Sequence, residues 1–339
     1  MILYYGTDLI GGEFLFRHCS SKKFHVELFS ICFSVILLTA CGEQPLHRTT
    51  FALDTAVTVT ISPADNTAAD RIFDTIRSAD ESFSKVCGGS SEPLTAEDAE
   101  RINTVSEVTD SLNEKYGGGI DLLLGRLTAL WGISTDSPRV PSEDEIRAVL
   151  EKEYFLPKEG ENGADADFGC AAKGYACDMI LPEMKNINGY AVFSAGSSSV
   201  MAGEKKGGFT VKVRSPADSG KYLGEFNCGE GFVSTSGGYE RFFEADGKKY
   251  SHIFDAETGY PVETDLTSVT VYFPIDEEYG GLKSDVLSTM IYCGGTDGLK
   301  KFADDGISII AADDKGYVYS FGIDFDIDGE SGYVLWNES

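Results

Sequence analysis

The hydrophobic positions change period along the chain, and each change marks an element. Between residues 49 and 62, Val57, Val59 and Ile61 alternate with polar residues, the period-2 pattern of a half-buried strand. Ile72, Phe73, Ile76, Ala79 and Phe83 then recur on one helical face, and the pattern stops at Cys87-Gly88-Gly89-Ser90-Ser91. Thr95-Ala-Glu-Asp98 opens a second helix with a capping-box-like start, and Ser142-Glu-Asp-Glu145 opens a third with a full capping box. From Tyr190 onward the texture becomes short β-rich runs at 190–194, 209–213, 232–235, 266–273 and 307–312. Asp246-Gly247 and Lys315-Gly316 stand where hairpin turns belong, and a helical stretch at 282–293 interrupts the strands. There is no internal repeat. The pattern predicts a single α+β domain over 49–325, helix-rich in its first part and strand-rich in its second, with a tail at 326–339.

The first 40 residues read differently. Arg17, Lys22 and Lys23 precede an apolar stretch at 28–40 that ends in Leu38-Thr39-Ala40-Cys41. A basic segment, a short apolar run and a small residue before the break describe a secretory signal, too short to cross a bilayer comfortably as a mature helix. Leu-Thr-Ala-Cys resembles a bacterial lipobox, which implies a chain lipidated at Cys41, a tether over 41–48 and an anchored position on the extracytoplasmic face of the cell membrane. An uncleaved apolar anchor is the alternative for the same stretch.

Composition narrows the chemistry. With 28 Lys plus Arg against 55 Asp plus Glu, the chain of 339 residues carries a formal charge of −27. No basic run exceeds two residues, so a sequence-independent nucleic-acid binder, which needs a basic face, is excluded. Beyond Cys41 the cysteines are Cys87, Cys170, Cys177, Cys228 and Cys293, an odd number without a CxxC pair, so free thiols are expected rather than a disulfide framework or a zinc site. Only His47 and His252 follow the signal, so any metal would be held by oxygen.

Three segments carry candidate chemistry. Asp165-Ala-Asp-Phe-Gly-Cys-Ala-Ala-Lys-Gly-Tyr-Ala-Cys-Asp178 predicts a strand-like entry, a Gly turn and an Ala-rich helix with Lys173 on its first turn, a place suited to an anion or to an ordinary connection with a surface lysine. Gly231 to Arg241 sets hydroxyls and glycines beside a strand and leads to His252, a histidine that by itself reads more readily as a structural hydrogen-bonder than as a catalyst. Asp285, Ser288 and Thr289 fall at i, i+3 and i+4 of a helix, so one carboxylate and two hydroxyls share a face. That set suits Mg²⁺, and it also suits a capped helix start.

Taken in order, five motifs resemble one family. Asp-Phe-Gly-(x3)-Lys-Gly-Tyr-Ala-x-Asp at 167–178, Ser-Thr-Ser-Gly-x-Tyr-Glu-Arg at 234–241, Ser-His-Ile-x-Asp-x-x-Thr-Gly at 251–259, Ser-Val-Thr-Val at 268–271 and Asp-x-x-Ser-Thr at 285–289 are similar to the ApbE family of FAD:protein FMN transferases. Leu53-Asp54-Thr55 and the segment from Gly119 to Gly132 extend the resemblance over nearly all of 49–325. It implies an ApbE-like, T-fold-related domain that transfers FMN from FAD to a threonine hydroxyl of a partner flavoprotein, in an Asp-Gly-x-Thr/Ser-Gly-Ala-Thr type of motif, with release of AMP. It also implies Mg²⁺ held by Asp285, Thr289 and the main-chain carbonyl of Cys170, with Ser288 nearby. FAD contacts are implied at Leu53, Gly119, Ile120, Asp121, Asp167, Lys173 and Phe254, and His252 is implied as the base. The chain departs from the family at Asp255-Ala256, at Ala195-Gly196-Ser197 and at Phe83-Ser84-Lys85-Val86, which stands where an aromatic would stack on a ring. A Mg²⁺-dependent FAD pyrophosphatase giving FMN and AMP and a flavin- or solute-binding lipoprotein without turnover remain the alternatives.

Overall fold

The computed structural model describes residues 44–87, 92–163, 165–218 and 220–336; the signal segment and Cys41 lie outside them. Residues 49–62, expected as one strand, form a hairpin of β1 (Leu46–Ala52) and β2 (Thr55–Ser62), paired from Leu46↔Ile61 to Ala52↔Thr55. The turn residues Leu53 and Asp54 have φ of 52° and 55°. Two successive left-handed residues give the twist that joins antiparallel strands, but Asn-Gly usually supplies them, so Leu53-Asp54 hides the turn from a sequence reader. β1 also begins inside the expected tether.

The helices follow the predicted signals. α1 (Asn66–Ser84) buries Ile72, Phe73, Ile76, Ala79 and Phe83. α2 (Ala96–Tyr116) starts on the Thr95/Asp98 capping box and stops at Gly117, φ 86°. After α3 (Gly125–Trp131), α4 (Glu143–Leu150) starts on the Ser142/Glu145 box. The entry to α5 (Ala172–Lys185), expected as strand-like, is irregular chain.

Strands then follow almost without interruption: β3 (Tyr190–Ala195), β4 (Ser198–Gly203), β5 (Phe209–Arg214), β6 (Tyr222–Cys228), β7 (Gly231–Ser236), β8 (Phe242–Ala245), β9 (Lys248–Ser251) and β10 (Leu266–Pro274). α6 (Gly280–Asp304), β11 (Ser308–Asp313), β12 (Tyr317–Phe321), β13 (Asp326–Ile327) and β14 (Val334–Leu335) complete the order. Asp246-Gly247 and Lys315-Gly316 form the turns of β8–β9 and β11–β12, as their φ > 0 residues require. The helix expected at 282–293 runs on past a break at Gly295, φ 66°, where Asp265 accepts the Thr296 N–H at 2.9 Å and restarts the helix.

One nine-stranded sheet, ordered β1-β2-β3-β4-β7-β10-β11-β12-β14, forms the middle layer. On one face, Val59, Phe193, Val200 and Phe232 pack against Ile72 and Ile76 of α1 and Ile180 and Met184 of α5. Farther along that face, Val269, Val271 and Ile309 pack against Val286 and Met290 of α6. On the other face lies the small sheet β13-β6-β5, with Phe209, Leu223 and Phe226 against Met201, Val233 and Ile310. Within the tail expected at 326–339, residues 326–336 carry two further strands: β13 pairs with β6 and β14 runs parallel to β12. The five cysteines from Cys87 to Cys293 are free thiols.

Candidate active site

Two glycines let two motifs meet. A Cβ on Gly174 would overlap the Gly281 carbonyl, and one on Gly281 would overlap the Gly174 carbonyl, so α5 and α6 touch backbone to backbone. At that contact the Gly174 N–H donates to Asp285 Oδ2 at 2.9 Å, across 111 residues of sequence. Gly174 is the third residue of α5, so its N–H is one of the donors a helix start leaves free, and Asp285 satisfies it from outside the helix. No hydrogen bond among the described residues reaches the Cys170 carbonyl, two residues ahead of α5, and the Asp285 carboxylate is 2% exposed. Lys173 Nζ takes the Gly169 carbonyl at 2.6 Å and stands 3.7 Å from Asp285 Oδ2. Burial pushes the Cys170 thiol pKa up, so the residue offers its carbonyl rather than a thiolate.

The hydroxyls around Asp285 form a directed chain. Ser288 donates its proton to the Asp285 carbonyl at 2.8 Å, so its 2.7 Å bond with Ser236 must use the Ser236 proton. The 2.9 Å bond between Ser236 and Thr289 then uses the Thr289 proton in preference to the Asp285 carbonyl, which lies farther off at 3.4 Å, and this leaves lone pairs of Thr289 Oγ1 open. Ser288 is fully buried with its hydroxyl engaged on both sides; Thr289 sits nearer the surface. Ser234 bonds Ser284 in the same way at 2.9 Å, so Ser234 and Ser236 of β7 make a polar seam against α6, while Thr235 between them pairs with Thr270. Asp285, Thr289 and the Cys170 carbonyl thus fit a small hard cation, with Ser288 as support. No group of three or more His, Cys, Asp or Glu side chains with metal-holding geometry occurs among the described residues.

His252 follows β9. Its Nδ1 lies 3.1 Å from the Arg241 carbonyl, which also accepts the His252 N–H at 3.1 Å. A carbonyl only accepts, so Nδ1 carries the proton and Nε2 keeps its lone pair in the neutral ring. Burial lowers the imidazole pKa to about 4, and the Arg241 and Lys173 charges act in the same direction while the Arg241 carbonyl opposes them. The ring is therefore a neutral base at physiological pH.

Of the implied FAD-contact residues, Asp167 is tied to the 119–121 segment. Its N–H donates to the Leu122 carbonyl at 2.9 Å, which sets Gly119, Ile120 and Asp121 alongside; Asn113 brackets Ile120 through both its N–H and its carbonyl. Asp167 Oδ2 accepts the Thr128 hydroxyl at 2.7 Å and Oδ1 accepts the Gly169 N–H at 2.8 Å. Leu53 packs against both helical-face cores from the strained β1–β2 turn. Phe254 is placed differently from a stacking residue: its ring is buried beside Trp131, centroids 5.9 Å apart. A cleft of about 530 Å³ lined by Asp54, Ile133, Ser134, Thr135, Glu240, Arg241 and Phe242 opens next to His252.

Two site residues escaped the sequence reading. Asp178 accepts the N–H groups of Gly281 at 2.9 Å and Leu282 at 2.7 Å, so the acid that closes the first motif caps α6. Arg241 was visible only as the end of a motif, and nothing local marks its carbonyl as the partner of His252.

A profile of the ApbE family matches residues 53–311. An FAD:protein FMN transferase of Klebsiella pneumoniae (strain 342) is 31% identical over 184 residues, 51% of this chain and 55% of the relative. One of Treponema pallidum (strain Nichols) is 29% identical over 215 residues, 54% of this chain and 56% of the relative. The chain spans about half the length of the curated relatives it matches. The crystal structure of the ApbE protein of Thermotoga maritima superposes with a TM-score of 0.66 at 25% identity, covering 81% of this chain and 96% of that one. The flavin transferase ApbE of Vibrio cholerae shares the fold, with a TM-score of 0.64 at 20% identity over 85% of this chain and 98% of that one. The profile takes in both the Gly174–Asp285 contact and the His252 segment, and the chain belongs to the ApbE family.

Proposed function

We propose that the protein transfers FMN from FAD to a threonine hydroxyl of a partner flavoprotein. The observation that carries this reading is the Gly174 N–H to Asp285 contact, which sets the start of α5, with Lys173, against the helix that carries Asp285 and Thr289. Mg²⁺ held by Asp285, Thr289 and the Cys170 carbonyl would neutralise charge on the pyrophosphate. His252 Nε2 takes the proton of the acceptor threonine; a bond forms between the threonine oxygen and the FMN phosphorus, and the bond from that phosphorus to the bridging oxygen breaks, so that AMP leaves with that oxygen. Lys173 steadies the phosphates, and the Arg241 carbonyl holds the imidazole in the tautomer the step needs. A lipidated Cys41 would place the domain at the extracytoplasmic face of the membrane, where exported or membrane redox proteins are the acceptors.

Incubation with FAD, Mg²⁺ and a domain carrying an Asp-Gly-x-Thr/Ser-Gly-Ala-Thr acceptor is expected to give a covalently flavinylated, in-gel fluorescent partner. Free FMN and AMP with unlabelled partner would replace the transferase by the pyrophosphatase, and intact FAD would leave only the flavin- or solute-binding lipoprotein. Asp285→Ala is expected to abolish turnover, and full activity in that variant would remove the metal assignment.

A further inference from the structure

In a chain of net charge −27, arginines are expected to find carboxylates. Every described arginine except Arg214 and Arg241 has one within 4 Å. Arg241 is also the one of the two that lines the cleft of about 530 Å³ beside His252. Its guanidinium makes one neutral contact, at 3.3 Å, to the Asp54 carbonyl in the left-handed β1–β2 turn. A guanidinium has five N–H donors in a planar fork, so most of its capacity for a planar or tetrahedral anion is unused. The same residue's carbonyl holds both the N–H and Nδ1–H of His252.

The geometry points to Arg241 as the positioning residue that receives the pyrophosphate of the bound dinucleotide on the His252 side of the cleft. One residue then receives the anion with its side chain and orients the imidazole with its main chain, so binding of the phosphate and placement of the base are coupled. Lys173, on the α5 side near Asp285, meets the same anion from another direction. A guanidinium left unpaired is what an acidic protein needs in order to admit an anionic dinucleotide, because a paired arginine would have to break an ion pair first.

This inference takes the identity of the dinucleotide from the proposed function, and it is tested by binding alone. Equilibrium dialysis of the full chain in Mg²⁺ compares FAD with riboflavin, which has the same ring system and no phosphate. Arg241→Gln is expected to weaken FAD about 10- to 100-fold, the range for a lost hydrogen bond to a charged group, and to leave riboflavin unchanged. Arg241→Lys, which keeps the charge without the fork, is expected to recover part of the FAD affinity, again without effect on riboflavin. Equal weakening of both flavins would make Arg241 a strut for the β1–β2 turn, and unchanged FAD binding would remove it from the site; either overturns the inference. If Arg241→Gln does not fold, Arg241→Lys decides by the same comparison. A wild-type chain that binds FAD in this pattern but transfers no FMN would sink the transferase reading and leave Arg241 in place.

Discussion

The tautomer and charge of His252 set the acid limb of the pH profile. With the pKa lowered to about 4 by burial, Nε2 stays unprotonated down to that pH, so FMN transfer should keep its rate from pH 7 to pH 5 and fall below that. A limb near 6.5, the ordinary histidine value, would show the imidazole solvated during catalysis. The same shift predicts a stability effect: between pH 6.5 and 4 the unfolded chain binds a proton the folded chain does not, so stability falls as pH drops through that window. The hydroxyl chain separates two neighbours that look alike in sequence. Thr289→Ala should raise the Mg²⁺ concentration needed for half-maximal activity, with Thr289→Ser restoring it. Ser288→Ala should chiefly lower stability, by about 1–3 kcal/mol, because it strips a partner from buried oxygens. Equal Mg²⁺ curves for the two alanine variants would contradict the proton order deduced from Ser288 to Thr289.

Helix contacts carry the next layer of the argument. Gly174→Ala places a methyl against the Gly281 backbone, so α5 and α6 must separate; overpacking of this kind costs about 1–3 kcal/mol and also pulls Gly174 N–H away from Asp285. Urea unfolding and an FAD-binding assay should both register the change, and a variant as stable as wild type would show that the helices can part freely. Away from the site, Asp98 ties α1 to α2. Burial would raise its pKa, but hydrogen bonds from Lys85, Ser82 and Thr95 outweigh that and hold the carboxyl well below the usual carboxylate range. A lowered pKa stabilises the fold above the unfolded value near 4, and that contribution disappears as pH falls further. Asp98→Ala removes a cap and the partner of Lys85 together, for an expected loss of about 2–4 kcal/mol at pH 7, read from chemical denaturation.

At the scale of the whole molecule, the last strands close what the sequence leaves open. Ending the chain after Phe325 removes β13 from β6 and β14 from β12, along with Ile327 and Tyr333, which pack on the small-sheet core. The truncated domain should melt several degrees lower and associate through the bared β12 edge, measurable by calorimetry and light scattering. Unchanged melting would mean these strands only decorate the sheet. No helix of the described residues is long and apolar enough to cross a membrane.

What the chain determines locally could be read from it directly. The buried face of α1, the two capping boxes and the Asp-Gly and Lys-Gly turns depend on residues within one or two turns of each other, so their signals survive without the rest of the fold. β4, β6, β8 and β9 were not legible, because their Gly, Glu and Lys positions acquire strand character only when neighbours supply the hydrogen bonds. The split of residues 49–62 at Leu53-Asp54 and the break at Gly295 have the same origin, a backbone conformation held by distant packing or by Asp265. Ordered motifs pointed to the candidate site residues, since reacting groups are constrained in type even when far apart in sequence. Only the tertiary structure decided how they are arranged: the close approach of Gly174 and Gly281 brings the free N–H of Gly174 to Asp285, the Arg241 carbonyl fixes the imidazole, and Arg241 itself stays without a carboxylate. Each depends on atoms from two or more separate segments, and a linear pattern does not encode the distance between them.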